Sequence, residues 1–287
     1  MWGSIQKHIT QTTGQAFTVK THRSVAGGCI NQAWRITGAD HSFFVKRNDS
    51  SKVSMFEAEA FGLLEIKAAQ AIRVPHPICW GTDSAGAYLV LEWIDFNRNQ
   101  NWTALGQKLA ALHQVSHPLG FGWTRENTIG STPQINTWHQ DWPTFFAECR
   151  LQAQIERAQK KGCYSKGFVI LFDAIPEFFK DYQPQSSLVH GDLWSGNIAS
   201  IASGEPIIFD PAVYFGDREV DIAMTELFGG FPGEFYRAYD QIFPLDKGYT
   251  KRKNLYNLYH VLNHFNLFGG GYASQAERMI QQLLRSI

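Results

Sequence analysis

Neither charge is in excess in this sequence: 26 Lys and Arg stand against 26 Asp and Glu in 287 residues. Holding a polyanion or a bilayer surface by electrostatics needs a basic surplus, so no nucleic acid and no membrane is expected among its partners. Cysteine is scarce too. The four (Cys29, Cys79, Cys149, Cys163) have no CxxC or ligand-like spacing, which argues against structural zinc and a disulfide framework and suits thiols in a reducing cytoplasm. Met1-Trp-Gly-Ser-Ile-Gln-Lys-His8 lacks the apolar centre of a signal peptide, and no apolar run reaches the roughly 18 residues of a membrane span. A cytoplasmic protein is the expectation. Internal repeats and low-complexity tracts are also missing, while the length is enough for a large core at the size where one domain begins to split into two lobes.

Aromatics are plentiful at 14%, with nine Trp, and several stand beside polar loop residues, as in a site that encloses a small ligand. The chain is organised around Leu188-Val-His-Gly-Asp-Leu-Trp-Ser-Gly-Asn-Ile198 and, after a Ser203-Gly-Glu205 turn, Pro206-Ile-Ile-Phe-Asp210. His-Gly-Asp alone is common in turns, because Gly and Asp favour them. The full set says more. An apolar strand end delivers His190 and Asp192, Asn197 follows Asp192 at the D-x-x-x-x-N spacing of a kinase catalytic loop, and a second strand presents Asp210. One Asp for an acceptor hydroxyl, with an Asn and an Asp for Mg²⁺, is the minimum that phosphoryl transfer from ATP requires.

Before this stretch the pattern divides the chain into a strand-rich part, residues 1–93, and a helical part, 94–287. Residues 1–13 read as a short amphipathic helix. Strands follow at Phe17–Lys20, Gln32–Ile36 and Ser42–Lys46, the first two joined by Ser24-Val-Ala-Gly-Gly-Cys-Ile-Asn31. Gly27 and Gly28 let backbone N–H groups approach phosphates, with Asn31 closing the turn. Lys46 stands where a kinase-like lobe keeps the Lys for the α and β phosphates. In the helix Val53–Ala69, Phe56, Ala60, Leu63 and Leu64 form an apolar stripe, and a carboxylate from it should pair with Lys46; Glu57 and Glu59 flank the stripe on opposite sides, and the helical wheel leaves both open. Strands Ile78–Gly81 and Ala87–Glu92 lead to Glu92-Trp-Ile-Asp-Phe96, a link whose backbone at Glu92 and Ile94 is expected to line an adenine slot.

The second part reads as helices at Trp102–His113, Trp142–Lys160, Lys166–Asp181, from near Asp217, Asn254–Phe268 and Ser274–Ile287, with His113 structural. A long polar and aromatic loop, Phe121–Asn136, interrupts them; loops of this length are usually functional or disordered. Asp221 reads as a brace for the catalytic loop, alongside His190 and Asp217.

These residues carry a resemblance. His190-Gly-Asp-Leu-Trp-Ser-Gly-Asn197, Gly27-Gly-Cys-Ile-Asn31, Phe56-Glu-Ala-Glu-Ala-Phe-Gly-Leu63 and Asn127-Thr-Ile-Gly-Ser-Thr-Pro-Gln134 with Trp138 and Trp142 together resemble the fructosamine kinase, or ketosamine-3-kinase, family over nearly the whole chain. The resemblance implies a bilobal protein-kinase-like α+β fold: an antiparallel sheet plus one helix, then a mainly helical lobe. It implies ATP-dependent phosphorylation of a ketosamine hydroxyl, an adduct-destabilising repair step on a small-molecule or glycated-amine substrate. By its E-A-x-x-L pattern Glu59 pairs with Lys46; Asp192 is the base, and Asn197 and Asp210 hold Mg²⁺. Asp210-Pro211 replaces the Asp-Phe-Gly of protein kinases, so no activation-loop switch is expected. Trp194, Asn127, Gln134 and Trp138 are candidate acceptor contacts. Cys29, in the glycine turn, is a redox candidate able to join two copies, which leaves monomer and homodimer both open. The alternatives are a sister small-molecule kinase for an aminoglycoside, choline or another alcohol, and a nucleotide-binding pseudokinase.

Overall fold

The computed structural model describes residues 2–26, 30–97 and 99–287, which form two compact units: Met1–Asn101 with Ala199–Asp210, and Trp102–Ile198 with Pro211–Ile287. Among the described residues no helix is long and apolar enough to cross a membrane.

The first unit opens with helix α1 (Gly3–Thr13), whose Ile5 and Ile9 are fully buried. Then come β1 (Thr21–Ser24), β2 (Gln32–Thr37), β3 (Ser42–Asn48), α2 (Val53–Ala68), β4 (Pro77–Asp83) and β5 (Gly86–Glu92), with the strands in antiparallel order β1-β2-β3-β5-β4. The period of two along a strand sorts the faces. Ile36, Phe43, Val45, Tyr88 and Val90 join Ile5, Ile9 and Phe17 in one core beneath α1. Lys46, registered between Ala33 and Leu89, therefore points to the opposite face, where α2 lies with Phe61 against Trp80. The first strand departs from the sequence reading, running over Thr21–Ser24 and not Phe17–Lys20. The amides of Phe17 and Val19 donate to the Thr10 hydroxyl and the Gln6 side chain on α1, so they serve the helix and the ladder begins at Lys20, whose N–H reaches the Thr37 carbonyl.

Strands at Ile198–Ser200 and Pro206–Ile208 form a hairpin closed by Ile201–Glu205 and Gly204–Ile201 backbone bonds. Ile208 N–H donates to the Arg73 carbonyl and Asn97 N–H to that of Ser200, which ties this late hairpin, and Asp210 after it, to the early sheet.

The second unit contains α3 (Trp102–His113), the hairpin β6 (Asn127–Ile129) and β7 (Thr132–Gln134), α4 (Trp142–Phe145), α5 (Ala153–Lys160), α6 (Gly167–Ala174), β8 (Ser186–Val189), then, past the hairpin strands β9 and β10 just described, β11 (Tyr214–Asp217), α7 (Glu219–Leu227), α8 (Gly233–Ile242), α9 (Tyr249–Phe268) and α10 (Tyr272–Leu284). β8 and β11 pair antiparallel. Helix α3 approaches α8 closely because Gly106 has no side chain; a Cβ there would sit 2.4 Å from the Phe235 carbonyl oxygen. Aromatic rings fill the centre: Trp142 lies against Phe121, Phe145, Phe146 and Tyr256.

Three expectations are corrected here. The 121–136 loop contains the β6–β7 hairpin. The 142–160 helix widens to a π-helix over Phe146–Gln152, a distortion that often marks functional regions. The 166–181 helix stops at Ala174 and continues as a 3₁₀ turn, Ile175–Phe179, since the ring of Pro176 cannot continue an α-helix.

Candidate active site

In the first unit, Lys46 is nearly fully buried and its Nζ lies 2.7 Å from Glu59 Oε1 and 2.5 Å from Asp210 Oδ1. Of the two carboxylates flanking the apolar stripe of α2, Glu59 thus makes this pair. Burial alone would depress the lysine pKa, but the negative charges of Asp210 and Glu59 outweigh it and hold the ammonium firmly protonated. Glu59 is pushed upward by its own burial, against the pull of Lys46 and with Asp210 adding repulsion. Asp210 keeps this position with φ +56°, a left-handed conformation that few non-glycine residues adopt and that Asp tolerates better than most. Phe209 beside it stacks on Phe96 at 5.2 Å.

In the second unit, β8 ends at Val189 and the chain turns through His190-Gly191-Asp192. Asp221 in the first turn of α7 holds this turn: its carboxylate accepts the His190 N–H at 2.7 Å and the Gly191 N–H at 2.8 Å, with His113 Nε2 at 3.1 Å. Burial works against the charge on Asp221, yet the donors around it keep its pKa below the ordinary carboxylate range. Behind it the donors run in order. Arg218 donates to the Tyr239 hydroxyl, which bonds His113 Nδ1. On the other side Ala212 N–H donates to the His190 carbonyl. Gly191 has φ +81°, and a Cβ on it would fall 2.2 Å from the Ala212 carbonyl oxygen, so only glycine lets the two segments touch. Asp217 caps α7 through the Glu219 N–H and accepts from Tyr256 and Tyr182.

Asn197 Nδ2 donates to the Asp192 carbonyl at 2.8 Å and to its carboxylate at 3.3 Å. That orientation turns Asn197 Oδ1 away from Asp192. An amide oxygen and a carboxylate are the hard donors Mg²⁺ takes, and Mg²⁺ needs few protein ligands because it keeps water and substrate phosphates. The Asp210 carboxylate is a hard oxygen donor of this kind, and among the described residues no group of three or more His, Cys, Asp or Glu is placed to hold a metal ion.

The other expected site residues fall in different places. Asn31 Oδ1 accepts from Asn48 at the end of β3. Glu92 donates its N–H to the His76 carbonyl and lies 3.5 Å from Arg73, so that amide is already engaged; Ile94 is half-buried in the link after β5. Trp194 is 38% exposed and edge-on to Phe228, and Trp138 stacks on His117 at 4.4 Å. Asn127 and Gln134 are buried, and all four of their side-chain polar atoms bond within the protein. Gly27, Gly28 and Cys29 lie outside the described residues. Sequence reading missed the partners behind the loop, Arg218 and Tyr239, and the buried Arg150; the one signal was His113, an ionisable residue ending an apolar helix.

A family model for fructosamine kinase matches residues 1–286. The chain belongs to the fructosamine kinase family. A Synechocystis protein provisionally named a ketoamine kinase is 51% identical over 286 residues, covering 99% of this chain and 97% of its own. The chloroplastic protein-ribulosamine 3-kinase of Arabidopsis thaliana is 44% identical over 283 residues, 96% of this chain and 86% of its own. Among solved structures, a Haemophilus somnus protein provisionally described as a fructosamine-3-kinase superposes with TM-score 0.93 at 31% identity, over 99% of this chain and 98% of that one. The aminoglycoside phosphotransferase APH(4)-Ia, at TM-score 0.62 and 16% identity over 100% and 99% of the two chains, shares the fold alone: the α+β kinase-like fold.

Proposed function

We propose that this fructosamine kinase family member transfers the γ-phosphoryl group of ATP to a sugar hydroxyl of ketosamines, the adducts that reducing sugars form with amines, as a deglycation step. What carries the reading is that the family match runs along residues 1–286 while Lys46, Glu59, Asp192, Asn197 and Asp210 are all retained. A non-catalytic nucleotide binder has no need of all five.

In this reading the acceptor hydroxyl attacks the γ-phosphorus, its proton passes to Asp192, and the bond to the ADP oxygen breaks. Such a transition state is loose, so the protein contributes mainly alignment and charge. Asp221 and Ala212 hold the peptides before Asp192, and the Asn197 amide holds its carboxylate. Lys46, fixed by Glu59, binds the α and β phosphates. Asn197 Oδ1 and Asp210 would hold Mg²⁺, which neutralises phosphate charge when bound. The backbone around Glu92 and Ile94 would meet adenine, and Trp194 the sugar or its amine substituent. The described cysteines are free thiols, which supports a cytoplasmic place of action.

The test is Mg²⁺-dependent ATP consumption with ribulosamine, fructosamine, choline and an aminoglycoside, using Asp192→Ala as control. Ribulosamine comes first because the Arabidopsis relative bears that substrate in its name. Turnover with ketosamines, lost by several orders of magnitude in the variant while nucleotide still binds, is the expected result; turnover with choline or the aminoglycoside alone would overturn the reading.

A further inference from the structure

We propose that the polar residues of the 127–136 hairpin, together with Arg150 and Tyr259, are positioning residues that hold the Ala212 and Val213 peptides against the catalytic loop and so set the place of Asp192. This rests on the kinase reading above. Asn127 and Gln134 are expected acceptor contacts by the family resemblance, but their hydrogen bonds run to the protein interior.

Asn127, Gln134, Asn136 and Arg150 are each at most 8% exposed. Arg150 donates Nη2 to Asn136 Oδ1 at 2.8 Å; Asn136 Nδ2 donates to Asn127 Oδ1 at 2.9 Å; Asn127 Nδ2 donates to the Val213 carbonyl at 2.7 Å. A second line starts at the Tyr259 hydroxyl, 2.6 Å from Gln134 Oε1, and Gln134 Nε2 donates to the Ala212 carbonyl at 3.1 Å and to Asn127 Oδ1 at 2.9 Å. The direction of the first line is set at both ends. A guanidinium only donates and a backbone carbonyl only accepts, so no amide between Arg150 and Val213 can flip without losing two bonds. Arg150 is itself unusual: a fully buried cation whose partners among the described residues are oxygens of Ile135, Cys149 and Asn136 and the rings of Phe145 and Tyr214. It sits in the π-helical segment, whose extra residue per turn changes which side chains face the hairpin.

The endpoints of both lines are the peptides that touch the catalytic loop. Ala212 donates its N–H to His190, and its carbonyl, the one Gln134 holds, lies so close to Gly191 that no Cβ would fit. A shift of Ala212 therefore moves Gly191, one residue before Asp192. Asp221 grips the same loop by its N–H groups, so the turn is held from two sides.

The experiment uses the full chain with Asn127→Asp, Gln134→Glu and Gln134→Met. The first two keep shape but lose the donor to a backbone carbonyl; the third keeps volume, deletes all three side-chain bonds of Gln134, and serves if the carboxylate variants fail to fold. Hydrogen exchange of the His190, Gly191 and Ala212 amides should quicken about tenfold or more, and kcat should fall about 10- to 100-fold, with the KM values for ketosamine and ATP within about threefold of the parent. A raised ketosamine KM with kcat intact would mean that the hairpin lines the acceptor site, and unchanged exchange at these amides would mean that it does not hold the loop; either overturns the proposal. If the parent protein phosphorylates no ketosamine, the substrate reading falls by itself, and exchange together with the rate of Mg·ATP hydrolysis by water still decides the positioning role on the same variants.

Discussion

Changing Asp221 to Asn keeps its volume and swaps one acceptor oxygen for a donor. In the parent protein Oδ2 accepts from His190 N–H and His113, and Oδ1 accepts from Gly191 N–H. The best placement of the amide keeps the first pair and turns its NH₂ toward Gly191, leaving a buried N–H facing another donor, at about 1–3 kcal/mol. The surviving bonds lose their ionic character, which accounts for roughly half the strength of a charge-assisted bond. Together the change should cost about 3–5 kcal/mol, a large share of the about 5–15 kcal/mol typical of a folded protein. Because the Gly191 peptide precedes Asp192, kcat should fall about 100-fold even in the folded fraction. The pH dependence gives a further check. The Asp221 pKa is lowered in the folded chain, so its stabilisation is present above the unfolded value of about 4 and is lost as pH falls through the lower folded value. That acid-dependent loss should be absent in Asp221→Asn. Urea unfolding midpoints at pH 7 and down toward pH 3, with kcat on the same samples, measure all three. A variant within about 1 kcal/mol of the parent, with kcat within about threefold, would refute the bracing role.

Glu59→Gln leaves Lys46 paired with Asp210 alone and should raise the ATP KM about tenfold with a smaller loss of kcat, read from steady-state kinetics; an unchanged ATP KM would separate Lys46 from nucleotide binding. His260 is buried, and burial lowers its pKa to about 3, so between pH 6.5 and 3 the unfolded chain takes up a proton that the folded chain refuses. Stability should therefore rise with pH across that window by up to about 1.4 kcal/mol per unit from this one group, and burial shifts His264 in the same direction. Unfolding midpoints at pH 5, 6 and 7.5 should show a shallower slope in His260→Gln, and an equal slope would show that His260 does not titrate in this way.

Local pattern made much of this protein legible. Apolar spacing marks α3 from Trp102 to His113 and α2 from Val53, because a helix that covers a core must repeat its apolar face about every 3.6 residues. The run Ala87–Glu92 marks a buried strand for the same kind of reason. The proposed catalytic loop is legible because its residues are neighbours in sequence, so the turn itself fixes the Asp192 to Asn197 spacing. Phe17–Lys20 misled, since its alternation is that of a strand while its amides are taken by side chains of α1.

The sequence by itself determined most of the helices and strands and the family, which rest on residues close together in the chain. The tertiary structure decided the partners. It chose Glu59 over Glu57 for Lys46, brought Asp210 to that lysine across 164 residues, and buried Asn127 and Gln134, expected acceptor contacts, among partners inside the protein. Periodicity records which face of an element is buried, whereas the identity of the group opposite depends on the path of the whole chain, and for buried polar atoms that group determines whether a side chain binds a ligand or holds the protein together.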